Sequence, residues 1–292
     1  MKYLLIGSGF IGSKLKARLE KNGAEVEVFD MAIDPKQNIC DREYVSMAIK
    51  KEKYDSVILM AAIADLNVFE AQPLLGMDVN IGGVINVAQA CMETKQRLVY
   101  ISTCCVYGNT QDLPSTEEAR ANPSEIYAAA KLAGEWIIKG YNLSYDMPYA
   151  ILRIATCYGP GMRGALAPAV FIDKVKKGEP ITIHGDGNQT RTLTYIDDEV
   201  EGIARVIESE INNQTFNISN EEESSVNELA TAVKDAMNAP DHPLDFIQDR
   251  KCQTFKEQIS TKKMKDLLDW QATIQLKEGI KNSVEWVESQ RS

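Results

Sequence analysis

Met1-Lys2-Tyr3-Leu4-Leu5-Ile6-Gly7-Ser8-Gly9-Phe10-Ile11-Gly12 decides the fold of this chain. Residues 3–6 read as a buried strand, and residues 11–21 carry the apolar spacing of an amphipathic helix. Between them stands G-x-G-x-x-G. The first glycine permits a tight turn, the second lets backbone approach a ligand, and the third lets helix and strand pack closely. Free N–H groups at the start of the helix then face a diphosphate. Glycines 7, 9 and 12 in this strand-to-helix context predict a dinucleotide site. Asp30 lies 18 residues past Gly12, at the end of the next apolar run. A carboxylate there accepts hydrogen bonds from ribose hydroxyls and repels a 2′-phosphate, which favours NAD over NADP.

Outward from this loop, apolar runs alternate with amphipathic stretches. Strands are expected over 3–6, 25–29, 56–60, 98–102 and 149–154, and helices over 11–21, 41–50, 77–94 and 124–141. Right-handed crossovers wind such a series into a doubly wound α/β sheet of Rossmann type. After Tyr158-Gly159-Pro160-Gly161 the rhythm breaks into shorter elements, with a helix over 198–209, a strand near 214–218 able to rejoin the sheet, and a last helix over 276–289. We therefore expect residues 1–158 to form the NAD-binding domain, rejoined by about 194–218, and residues 159–292 to form mainly a smaller α/β substrate lobe.

The 292 residues are 44% apolar and 25% charged, an ordinary globular composition. A net charge of −10 speaks against a broad nucleic-acid or anionic-membrane surface. No run of about 18 uninterrupted apolar residues is present, and no signal-peptide pattern precedes residue 3, so a cytoplasmic protein is expected. The six cysteines show neither Cys-x-x-Cys spacing nor a disulfide framework, so reduced thiols and no metal site are expected.

Tyr127-Ala128-Ala129-Ala130-Lys131 places a phenol and an ammonium one turn apart on a helix face. A nearby ammonium favours the phenolate and makes Tyr127 a usable base. The strand 98–102 runs into a polar turn, which sets Ser102 and Thr103 at the carboxyl end of the sheet, where doubly wound folds bind ligands.

With these residues in place, the sequence resembles the extended short-chain dehydrogenase/reductase family, and within it the NAD-dependent nucleotide-sugar epimerases and dehydratases. The likeness runs almost end to end. It rests on the glycine loop, Leu59-Met60-Ala61-Ala62, Asn80-Ile81-Gly82-Gly83, Ser102 to Gly108, Tyr127 to Lys131, Arg153 to Pro160, Gly185 to Arg191 and Leu267-Leu268-Asp269-Trp270. The resemblance implies that Tyr127 takes a proton from a sugar hydroxyl held by Thr103, while Lys131 tunes Tyr127 and orients the nicotinamide ribose. It implies that Phe10, Ile11, Asn38, Ile39, Met60, Ala61, Ala62, Ile63 and Asn80 line the NAD site, and that Arg191 and Arg250 clamp the substrate diphosphate. Thr156, where these enzymes usually carry Asn, falls at a substrate contact. Members often pair as homodimers through the Tyr127 helix and the long helix before it.

The residues after Thr103 bear on the reaction. The family's 4,6-dehydratases carry Asp-Glu there, and related decarboxylases keep the Glu. Here both places are cysteines, Cys104 and Cys105, and a thiol is a weak general acid. A 4-epimerase acting on a UDP-sugar, such as UDP-glucose, an N-acetyl sugar or a uronate, needs no further acid and is the expected activity. Dehydration, decarboxylation and a Cys105-assisted 3,5-epimerisation and reduction are alternatives. For the last, Gly161 stands where a basic partner is found. A non-catalytic NAD-binding protein is the remaining alternative, set against the presence of both Tyr127 and Lys131.

Overall fold

A computed structural model describes residues 1–249 and 254–290. Its centre is a parallel six-stranded sheet in the order β2-β1-β3-β4-β5-β9: β1 (Lys2–Ile6), β2 (Glu25–Phe29), β3 (Ser56–Leu59), β4 (Leu98–Thr103), β5 (Tyr149–Ile154) and β9 (Gln214–Ile218). The expected doubly wound fold is what the chain adopts. The inner strands β1, β3, β4 and β5 are buried on both faces because both faces are covered, whereas the edge strand β2 alternates Glu25, Val26, Glu27 and Val28. Tyr3 and Leu5 of β1 pack with Ile58, Val99, Leu152 and Phe216 on one side. Leu4 and Ile6 point the other way, with Val57, Leu59, Tyr100 and Ile151.

Helix α1 (Phe10–Lys21) crosses from β1 to β2, and α2 (Arg42–Lys50) from β2 to β3. The Asp41 side chain caps α2 by accepting from the Glu43 and Tyr44 amides. Two short helices that the periodicity did not indicate, α3 (Leu66–Ala71) and α4 (Pro73–Met77), follow β3. A π turn over Asp78–Gly82 then leads into α5 (Gly83–Thr94), so the helix expected over 77–94 is an α–π–α composite. The run Pro73–Thr94 has the length and apolarity to cross a membrane. In this fold, Val84, Val87, Ala88 and Cys91 are buried in the core beside the sheet. Helix α6 (Ile126–Tyr145), which carries Tyr127 and Lys131, packs beside α5.

Past β5 the chain builds smaller layers. Strands β6 (Thr156–Tyr158), β8 (Thr190–Tyr195) and β10 (Glu223–Ser225) make a three-stranded sheet, and β7 (Ile181–His184) pairs in parallel with β11 (Leu244–Ile247). Around them lie α7 (Ala167–Lys177), α8 (Ile196–Glu208), α9 (Val226–Ala236), α10 (Lys262–Leu268) and α11 (Leu276–Ser289). Strand β9 hydrogen-bonds to β5 from Ala150↔Gln214 to Ile154↔Ile218.

Candidate active site

Strand order changes direction around β1, whose neighbours are β2 on one side and β3 on the other. Loops leaving the carboxyl ends of β1 and β3 therefore part and leave a crevice. A cleft of about 760 Å³ lies there, within the size of cofactor and substrate sites. Gly7, Gly9, Phe10, Ile11, Gly12, Asp30, Asn38, Ile39, Met60, Ala61, Ala62 and Ile63 line it, together with Thr103, Tyr127, Lys131 and Thr156.

The three glycines have three separable reasons to be glycine. Gly7 has φ +95°, and a Cβ there would stand 2.5 Å from the Ala61 nitrogen. A Cβ on Gly12 would meet the Gly7 carbonyl oxygen at 2.5 Å, so this position sets how closely α1 approaches the turn. Around Gly9 nothing lies within 4 Å. That open face beside the first amides of α1 is the cradle a diphosphate needs. The Asp30 carboxylate anchors the loop from outside: Oδ2 accepts from the Ser8 amide at 2.5 Å and the Ser8 hydroxyl at 3.0 Å, and Oδ1 accepts from the Ala32 amide at 2.8 Å. Burial pushes this carboxyl upward, but those hydrogen bonds outweigh it and hold it below its ordinary range. The residues present fit a dinucleotide.

Asn80 requires a correction. It does not face the cleft but is buried behind it, where Oδ1 accepts from the Ile63 amide at 2.8 Å and Nδ2 donates to the Ile63 carbonyl at 2.9 Å. Its amide pins the backbone of the segment that does face the cleft. The π turn carries it there.

Thr103 ends β4 and caps the 3-10 turn Cys104–Tyr107, its Oγ1 accepting from the Cys105 amide at 3.2 Å. The same hydroxyl is in hydrogen-bonding reach of the Tyr127 phenol and the Cys105 thiol. Burial pushes the phenol up, the Cys105 thiol adds to that, and Arg163 and Thr103 pull it down, for a net rise. Lys131 is only 3% exposed. Its Nζ donates to the Ile101 carbonyl at 2.8 Å and sits 4.8 Å from the centroid of the Tyr100 ring. Burial lowers the ammonium to about 7, against an opposing push from Glu135. Hydroxyl, phenol and ammonium thus converge on one wall, as acid–base work on a bound hydroxyl requires.

Over residues 4–219 the chain matches the NAD dependent epimerase/dehydratase family. It belongs to that family. A putative UDP-glucose 4-epimerase of Methanocaldococcus jannaschii is 32% identical over 97% of both chains. A dTDP-D-glucose 4,6-dehydratase of Homo sapiens is 26% identical over 96% of this chain and 87% of its own. Among solved structures, the UDP-glucose 4-epimerase of Thermotoga maritima with UDP-glucose superposes with a TM-score of 0.93 at 26% identity, covering all of both chains. A UDP-glucuronic acid 4-epimerase of Bacillus cereus, in complex with UDP-glucuronic acid and NAD, does so with 0.89 at 26%, over 99% of this chain and 100% of that one. NAD is the cofactor of the family, and the protein is an enzyme of an epimerase and dehydratase group.

Against this family's pattern, the two cysteines differ from one another. Cys104 turns inward, its Sγ 3.2 Å from the Arg153 carbonyl oxygen. Cys105 lines the cleft, and burial, with Glu257 adding to it, pushes its thiol up to about 12 despite Thr103 pulling the other way. Such a thiol stays protonated at neutral pH and is a poor acid or base. Arg191 Nη1 donates to the Thr190 carbonyl at 2.8 Å and the Thr254 carbonyl at 2.7 Å, and its charge reaches the Cys105 thiol on the cleft wall. Arg250 lies outside the described residues.

Two charged groups on the wall went unnoticed in the sequence, Glu125 at the N-cap of α6 and Arg163 between β6 and α7. Glu125 is two residues from Tyr127 in the chain, whereas only the fold brings Arg163 beside it. Among the described residues no group of three or more His, Cys, Asp or Glu side chains could hold a metal ion.

Proposed function

We propose that this protein is an NAD-dependent nucleotide-sugar 4-epimerase that works through a transient 4-keto sugar. The observation that carries the reading is the composition of the wall around Thr103. Hydroxyl, phenol and ammonium for proton transfer at one carbon are assembled there, while the two following positions offer only thiols, one buried and one held protonated. Dehydration at C5 and C6 needs a further acid and base, whereas inversion at C4 does not. The UDP-glucose 4-epimerases among the relatives and structural neighbours support the same reading.

The glycine loop, Asp30 and the stretch Met60, Ala61, Ala62 and Ile63 would hold NAD, with Asp30 on the adenosine ribose and Lys131 on the nicotinamide ribose. NAD supplies a hydride acceptor at C4 that later returns the hydride, and its cationic ring favours the phenolate. Thr103 hydrogen-bonds the sugar hydroxyl and Tyr127 takes its proton as the keto sugar forms. Once the sugar has turned over, Tyr127 gives the proton back. Purified protein incubated in deuterated water with UDP-glucose, UDP-N-acetylglucosamine and UDP-glucuronate tests this by NMR. Unchanged mass with inverted C4 is expected, and loss of water or carbon dioxide overturns the assignment. Tyr127→Phe should lower turnover by about 10²- to 10⁴-fold while NAD stays bound. Full activity in that variant would refute the role.

Arg163 favours the uronate among these sugars. Its guanidinium lies on the wall near Tyr127, with no ion pair among the described residues, and Thr156 offers a hydroxyl on the same cleft. An anionic substituent would complete a charge-assisted bond there. Arg163→Gln should raise KM for UDP-glucuronate about 10-fold and leave that for UDP-glucose unchanged; equal effects on both would remove this preference.

We also propose a homodimer formed through α5 and α6, which leave Ile85, Trp136 and Leu143 exposed at 41%, 66% and 85%. Light scattering behind gel filtration should give twice the 32.5 kDa chain mass. A monomer at micromolar concentration would dismiss it.

A further inference from the structure

Glu135 lies on α6 one turn beyond Lys131 and two beyond Tyr127, with no exposure to solvent. Its carboxylate accepts from the Ser102 hydroxyl at 2.6 Å and from Arg153 Nε and Nη2 at 3.0 and 2.7 Å. Ser102 and Arg153 are register partners on β4 and β5, and Ser102 is itself part of the cleft wall. Arg153 spends its other nitrogen on the Tyr107 hydroxyl at 3.0 Å and the Glu117 carbonyl at 3.1 Å. One buried carboxylate thus joins the helix bearing Tyr127 and Lys131 to the strand end bearing Thr103.

If its work were only to fasten helix to sheet, an apolar pair of similar volume would serve as well, because a buried ion pair gives back most of its attraction in desolvation. The surroundings of Lys131 indicate a second task. On β4 it meets the Ile101 carbonyl and the Tyr100 ring, and on its own helix Tyr127 and Glu135. Glu135 stands one turn along from Lys131 on the same buried helix face, and its charge opposes the effect of burial on the ammonium. Glu135 in turn faces Arg153 on β5, Ser102 on β4, and Lys139 on α6 at 3.9 Å.

We propose that Glu135 is a positioning residue that keeps Lys131 charged, so that Lys131 can act on Tyr127. This rests on the reading of Tyr127 as the base. The carboxylate offsets part of the cost of burying an ammonium. Without it the ammonium loses its proton at a lower pH, and the phenol loses the positive charge that activates it.

The test is the pH dependence of kcat for C4 inversion in Glu135→Gln and in the double variant Glu135→Leu/Arg153→Leu. The double variant replaces the pair by apolar groups and keeps the fold accessible if the single variant fails to fold. In both, the alkaline limb should move about one unit toward acid. At pH 8 kcat should fall about 10-fold with KM within twofold, and near pH 6 most of it should return. The Lys131 Nζ resonance in lysine-15N-labelled protein, assigned with Lys131→Arg, should report the same shift without reference to turnover. A folded variant with an unshifted limb and an unshifted resonance overturns the proposal. So does a loss of kcat equal at pH 6 and pH 8, since a displaced helix would lose activity at every pH. Wild-type protein that inverts no sugar would instead defeat the reading of Tyr127, leaving the Lys131 resonance to decide on Glu135.

Discussion

At the scale of single residues, the thiol of Cys105 shows how environment decides chemistry. It stands on the cleft wall beside Thr103 and Tyr127, where a carboxylic acid would be placed to act on C5 or C6. Burial, reinforced by Glu257, pushes it up to about 12, so at neutral pH it stays a thiol. A group so rarely ionised contributes shape. Cys105→Ala should therefore keep C4 inversion within about threefold of wild type, whereas loss of a working acid or base costs about 10²- to 10⁴-fold. Steady-state rates on the accepted UDP-sugar settle the matter, and a drop beyond 100-fold would return Cys105 to the mechanism. Deuterium appearing at C3 or C5 in wild-type product would do the same.

At the scale of elements, the π turn Asp78–Gly82 does for the NAD site what an uninterrupted helix would not. One wider turn brings Asn80 inward, and its amide makes two hydrogen bonds to the Ile63 backbone. Asn80→Val should free the 60–63 segment, weakening NAD binding about 10-fold in a calorimetric titration, the price of losing two buried hydrogen bonds near a ligand. Unchanged affinity would reduce Asn80 to a packing residue. The glycine loop and the Tyr127–Lys131 pair were legible beforehand because each is a short run whose spacing alone fixes its geometry. The π turn was not, since the apolar period around 77–94 continues through it. Nor was the Glu135–Ser102–Arg153 cluster, whose members are 18 and 33 residues apart and meet only once β4 and β5 are in register. Arg191 was named from its place in a family motif, and the fold adds that one of its nitrogens holds the Thr190 and Thr254 carbonyls.

At the scale of the whole molecule, the doubly wound sheet followed from inner strands apolar on both faces, while the small sheets after β5 include polar-rich strands such as Thr190–Tyr195 and Glu223–Ser225 that carry no such run. One residue in that later region works against folding. Glu199 on α8 has no exposure, and the Thr194 hydroxyl is the polar side chain that reaches its carboxyl. Burial, with the adjoining Asp198 adding to it, outweighs the Thr194 hydroxyl and holds the carboxyl protonated well above its ordinary 4.5. The unfolded chain gives up this proton near pH 4.5 and the native chain does not. Above that pH the unfolded state binds fewer protons, so stability falls as pH rises, by about 1.4 kcal/mol per unit, until the native carboxyl itself ionises. Below pH 4.5 the two states match and the contribution is fully retained. Glu199→Leu, of similar volume, removes that slope. Its melting temperature should exceed that of wild type by several degrees more at pH 8 than at pH 5, since about 1 kcal/mol moves a domain of this size about 2 °C or more. Equal gains at the two pH values would mean that Glu199 is already ionised in the native protein and has found a partner there.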